Sequence, residues 1–135
     1  MTVAMEHELK LRQSGLRPTR QRVALSKLLF TGTDRHVTAE GLHSDALAAH
    51  IPVSLATVYN TLHQFTEAGL LRQVVVDGSR TYFDTNIGDH HHFYSEENGE
   101  LIDIEGAAIS VDGVPAPPPG SQVSRVDVVI RLCKA

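Results

Sequence analysis

Three consecutive histidines, His90-His91-His92, are the residues of this 135-residue chain best suited to bind a guest. On an extended strand His90 and His92 project from one face and His91 from the other. Asp84 stands just upstream, Asp103 falls on the next expected strand, and His36 opens the second expected helix. Together His36, Asp84, His90, His92 and Asp103 offer imidazole and carboxylate ligands without a thiolate. Such a set suits Fe(II), Mn(II) or Zn(II) and does not choose among them. Ligation needs neutral imidazoles, so affinity should fall as pH drops below the ordinary histidine value of about 6.5. The remaining histidines, His7, His43, His50 and His63, lack companions at ligand spacing and read as surface or packing residues. A histidine trio by itself would equally suit an exposed polar strand; ligands from both halves of the chain would let one ion govern the angle between them.

The elements that must position these residues announce themselves by their starts. Thr19, Thr38 and Ser54 are each placed as an N-cap, and Val37 and Val53 can staple onto Leu42 and Val58. The first expected helix ends at Thr31-Gly32-Thr33, and the second runs to about His50, before Ile51-Pro52. In the third, about Leu55 to Glu67, Leu55, Val58, Leu62 and Phe65 form one apolar stripe. Its other face presents Ala56, Thr57, Asn60 and Gln64, flanked by Tyr59 and His63. That face is short, polar and almost uncharged, as a base-reading surface should be. Leu70 to Val76, the turn Asp77-Gly78, and Ser79 to Phe83 then read as a hairpin.

Three helices followed by a hairpin is the order of a winged helix-turn-helix, in which the third helix enters the major groove. The candidate DNA contacts are Ser54, Thr57, Tyr59, Asn60 and Gln64 on that helix, with Arg17, Arg20, Arg22 and the hairpin's Arg80 for phosphates. Beyond it, His90 to Tyr94, Glu100 to Ile104 and Ser124 to Leu132 are the expected strands, and Pro115 to Gly120 an extended surface loop. A sheet so small cannot bury both faces alone, so pairing with a second copy is expected. The fold class is therefore α+β: a DNA-binding domain over residues 1–84 and a small α/β dimerisation and sensing domain over 85–135.

Composition agrees. Hydrophobic residues make up 41% and charged residues 21%, enough for a core. The net charge of −4 hides a split: residues 1–83 hold 9 Lys and Arg against 7 Asp and Glu, whereas 84–135 hold 3 against 9. A single cysteine, Cys133, excludes an internal disulfide and a four-cysteine zinc site within one chain. No apolar run is long enough for a membrane span, and the first residues lack a signal peptide's basic and apolar regions, so a cytoplasmic location is expected. No His-Glu-x-x-His helix is present and no enzymatic activity is expected. Haem storage would suit the histidines but leaves the third helix's polar face without a purpose.

The pattern resembles the ferric uptake regulator family. The residues that carry the resemblance are Leu16-Arg17-Pro18-Thr19-Arg20-Gln21-Arg22, His36-Val37-Thr38-Ala39-Glu40, Leu55-Ala56-Thr57-Val58-Tyr59-Asn60-Thr61-Leu62, Tyr82-Phe83-Asp84 and the histidine run. Within the family it looks most like the iron response regulator (Irr) branch of alpha-proteobacteria. The resemblance implies a homodimeric repressor of iron and haem metabolism genes that binds an inverted-repeat operator. It implies haem binding at His90, His91 and His92, with haem ending DNA binding, and a divalent metal at His36, Asp84, His90, His92 and Asp103. Metal or peroxide sensing is the alternative, since both carboxylates of the set are aspartates. The structural-zinc cysteine pairs of many relatives, the acidic ligands of a second site (Ser110 stands there) and the Cys-Pro haem motif are absent, and a proline-bearing segment replaces a long helix.

Overall fold

The computed structural model describes residues 2–135. In chain order the elements are α1 (Val3–Gln13), α2 (Arg20–Leu29), β1 (His36–Val37), α3 (Ala39–Ala48), α4 (Leu55–Glu67), β2 (Arg72–Asp77), β3 (Arg80–Asp84), β4 (His90–Ser95), β5 (Leu101–Glu105), a 3₁₀ turn (Gly106–Ala108) and β6 (Val129–Leu132). They form two compact units that part between Ile87 and Gly88. No helix among the described residues is long and apolar enough to cross a membrane.

The first unit holds all four helices. Thr19, Thr38 and Ser54 each cap the next helix by accepting a backbone N–H, from Arg22, Gly41 and Thr57 respectively. Each cap satisfies a donor that the helix cannot and contributes about 1 kcal/mol. The sequence reading omitted α1, whose cap Thr2 accepts from Met5 N–H. Only His7 and Leu11, one turn apart, are buried along it, so its apolar period is faint. The helix expected to be third is therefore α4. Its boundaries match expectation; α2 and α3 stop earlier, at Leu29 and Ala48, and His50 takes the left-handed φ of 59°.

One apolar core joins Leu11, Leu25, Leu29, Val37, Leu42, Val58, Leu62, Phe65, Leu71 and Phe83. Leu55 does not belong to its buried set: it is 39% exposed, and Thr61 takes the buried place, its hydroxyl donating to Thr57 O at 2.8 Å. Gly69, at φ +82°, turns the chain out of α4 into β2. The Asp77 carboxylate closes the hairpin by accepting from Ser79 and Arg80 N–H. The sheet order is β1-β3-β2, antiparallel throughout. His36 thus lies on a strand and does not open a helix: Val37 is drawn into the core, and residues before an extended N-cap are free to pair with β3.

The second unit is a three-stranded sheet of order β5-β4-β6, with β5 antiparallel and β6 parallel to β4. β6 spans Val129–Leu132 and does not begin at Ser124, because residues 121–127 run exposed with no neighbouring strand. Residues 111–127, with the proline run, are exposed throughout. Phe93 sits opposite both Ile102 and Ile130, an apolar row on the sheet face that leaves those isoleucines exposed.

Candidate nucleic-acid face and metal ligands

In the first unit the polar face of α4 meets the start of α2. A cleft of about 310 Å³ there is lined by Arg17, Thr19, Gln21, Arg22, Thr57, Asn60, Thr61 and Gln64. Asn60, Gln64, Tyr59, Arg17 and Arg20 are exposed. The Ser54 hydroxyl is engaged in the cap, accepting from Thr57 N–H and donating to Thr57 Oγ1 at 3.0 Å. Arg22 spans the cleft, donating to Arg17 O at 2.9 Å and to Gln64 Oε1 at 3.1 Å. Arg80 is exposed at the start of β3. Tyr59 and His63, which flank the polar face, lie edge-on against Phe83 of β3, with centroids 6.5 and 5.4 Å away.

The other end of β3 carries chemistry. Asp84 is fully buried, accepts Asn86 N–H at 2.9 Å and places Oδ2 3.1 Å from His36 Nε2. In register, His36 and Arg72 are both partners of Asp84, so imidazole, carboxylate and guanidinium form one row across β1, β3 and β2. Arg72 is buried as well, and sequence reasoning missed it; the signal lay only in a strand register that residue types do not reveal.

In the second unit the alternation expected for the histidine trio holds. His90 and His92 are 5% and 2% exposed, and their Nε2 atoms lie 3.5 and 3.3 Å from Asp103 Oδ1. His90 Nδ1 lies 2.7 Å from Gly88 O, and a carbonyl only accepts, so Nδ1 carries the proton. Nε2 of the same ring then faces a carboxylate oxygen, a gap that a cation ligated by both atoms would bridge. An imidazole oriented by a backbone carbonyl is the usual companion of metal ligation. His91 faces the other way, and its Nδ1 accepts from Val128 N–H at 3.1 Å, tying the residue before β6 to β4.

Each unit thus contributes part of the expected ligand set: His36 with Asp84 in one, His90, His92 and Asp103 in the other. Of the four histidines read as surface or packing residues, His43 bonds Val53 O at 3.1 Å, His63 packs tilted against Tyr59, His7 is buried and His50 is exposed.

Comparison with known proteins gives a consistent answer. The profile of the ferric uptake regulator family matches residues 13–113. The peroxide-responsive repressor PerR of Staphylococcus aureus is 34% identical over 108 residues, covering 76% of this chain and 72% of its own. Among solved structures, the manganese-containing ferric uptake regulator of Pseudomonas aeruginosa superposes with a TM-score of 0.72 at 29% identity, over 95% of this chain and 97% of that one. The ferric uptake regulator of Vibrio cholerae shares the fold, with a TM-score of 0.71 at 21% identity over 92% and 96% of the two chains.

Proposed function

Because the chain belongs to the ferric uptake regulator family, whose members are transcription regulators, we propose that it is a metal-responsive DNA-binding repressor. The first unit acts as a winged helix-turn-helix, with α4 in the major groove, the β2–β3 hairpin as wing, and Arg17, Arg20 and Arg80 on phosphates. The second unit pairs with a second copy through its apolar face, so that two α4 helices read an inverted repeat. One divalent ion, Fe(II), Mn(II) or Zn(II), is held jointly by His36, Asp84, His90, His92 and Asp103. A DNA-bound role places the protein in the cytoplasm.

The observation that carries this reading is the construction of β3. Asp84 ends the strand that Arg80 opens at the hairpin, and Phe83 between them packs on Tyr59 and His63 of α4. Binding at Asp84 therefore bears directly on a strand shared by wing and reading helix, and needs no longer route.

The donor set fits an ion better than a porphyrin. His90 and His92 are buried and turned toward Asp103, while His91 Nδ1 is occupied by Val128 N–H. The haem and Irr-branch reading thus rests on the sequence resemblance alone. Peroxide response is the better-supported second reading, favoured by the S. aureus relative and the two aspartate ligands. Ferrous iron there would supply the electron that turns peroxide into an oxidant of an adjacent imidazole.

The test is DNA binding to an inverted-repeat duplex with Mn(II), Zn(II), Fe(II), haem or chelator. Metal is expected to tighten binding and chelator to weaken it. Peroxide should release the iron form and add oxygen to His36 or His90, as read by peptide mass. Equal affinity with metal and chelator contradicts the metal-responsive reading; release by haem alone would restore the haem reading in its place.

A further inference from the structure

We infer that Arg22 is a positioning residue that fixes the polarity of the Gln64 amide, making Gln64 a reader of hydrogen-bond acceptors on bases. The inference rests on the DNA-binding reading above and deepens it. Sequence reasoning offered Arg22 as a candidate phosphate contact; in the structure its guanidinium is engaged within the protein. Its Nη1 donates to Arg17 O and its Nη2 to Gln64 Oε1, at 2.9 and 3.1 Å, bridging the start of α2 to the exposed face of α4.

An arginine only donates, so the Gln64 atom turned toward it must be the carbonyl oxygen. The two N–H groups of Gln64 are then directed away from Arg22. Without that guanidinium the amide could rotate by half a turn at little cost and offer either edge. The major groove presents acceptors at guanine N7 and O6 and at thymine O4, whereas cytosine presents only a donor at N4. Adenine offers one of each, and its bidentate pairing with glutamine draws on the same oxygen that Arg22 already occupies. A held donor edge therefore favours guanine or thymine over cytosine at one position of each half-site. Thr57, on the same cleft, points the same way: its Oγ1 accepts from Ser54, which leaves its own hydroxyl hydrogen to donate.

The experiment is selection from randomised duplex DNA by the full-length chain with Mn(II), followed by affinity measurements on the selected site and its single-base variants. The position read by Gln64 is the one whose preference disappears in Gln64→Ala. There the unmodified protein should favour guanine or thymine over cytosine by about tenfold. Arg22→Met, which keeps the aliphatic stem, should reduce that ratio below about threefold while preferences elsewhere in the site persist. Gln64→Glu, which offers only acceptors and keeps a partner for Arg22, should invert the preference toward cytosine and remains informative should Arg22→Met fold poorly. A preference unchanged in Arg22→Met, or an equal weakening on every sequence as a phosphate contact would give, overturns the inference and leaves DNA reading intact. A cytosine preference in the unmodified protein also overturns it. Retention of DNA without selectivity at any position overturns the inference, and failure to retain DNA at all overturns the DNA-binding reading itself.

Discussion

Replacing Asp103 by asparagine should separate metal binding from folding, because the charge of the carboxylate matters far more to a bound cation than to the fold. The Asp103 oxygen faces His90 Nε2, while Nδ1 of the same ring is directed at Gly88 O. Asparagine keeps the size of the side chain and can still hydrogen-bond to that ring nitrogen, donating or accepting as its protonation requires. Asp103 is about one-third exposed, so its charge contributes little, within about 1 kcal/mol. Asp103→Asn should therefore change stability in chelator by no more than about 1 kcal/mol. With Mn(II) at about 100 times its dissociation constant, the unmodified protein gains about 2.7 kcal/mol. For a chain of this size that is a rise in Tm of about 10 °C. Loss of a charged ligand that weakens affinity about 100-fold leaves about 0.4 kcal/mol at the same concentration, a rise of about 2 °C. Differential scanning calorimetry, with and without metal, reads both numbers. An equal metal-induced rise in Asp103→Asn and the unmodified protein would refute the assignment of Asp103 as a ligand. So would a large destabilisation confined to chelator, which would make the carboxylate structural.

His7 is buried against α2, and burial together with the charges of Lys10 and Lys27 lowers its pKa, Glu6 opposing them weakly. The neutral form is thus the one the fold accepts, its contribution complete above about pH 6.5 and lost as pH falls through the lowered folded value. His7→Leu in chelator should flatten the acid side of the stability profile; an unchanged difference between pH 7.5 and 5.5 would contradict this. Thr38→Ala removes the cap of α3 and should cost about 1 kcal/mol in urea unfolding at unchanged m-value. Asn60→Ala should lose about 1–3 kcal/mol of discrimination between operator and random DNA. Equal weakening on both would show that Asn60 does not read bases. Leu62→Ala, at the fully buried centre of α4, should cost about 2–5 kcal/mol, and a loss under 1 kcal/mol would mean the core refills.

Local signals in the chain determined most of what local forces decide. The caps at Thr19, Thr38 and Ser54, the limits of α4 and the Asp77-Gly78 turn are fixed by residues within a few positions of one another, so type and spacing suffice to find them. The alternation of His90, His91 and His92 followed from strand geometry alone. Tertiary structure decided the rest. α1 is a helix because His7 and Leu11 find a core to enter, which its weak period does not announce. His36 became a strand residue because β3 was there to pair with it. The row of Arg72, Asp84 and His36 exists only through register, and the bond from Arg22 to Gln64 links residues 42 positions apart. Sequence names the donors and acceptors a protein owns; which of them face each other depends on contacts between segments, whose free energies no local pattern contains.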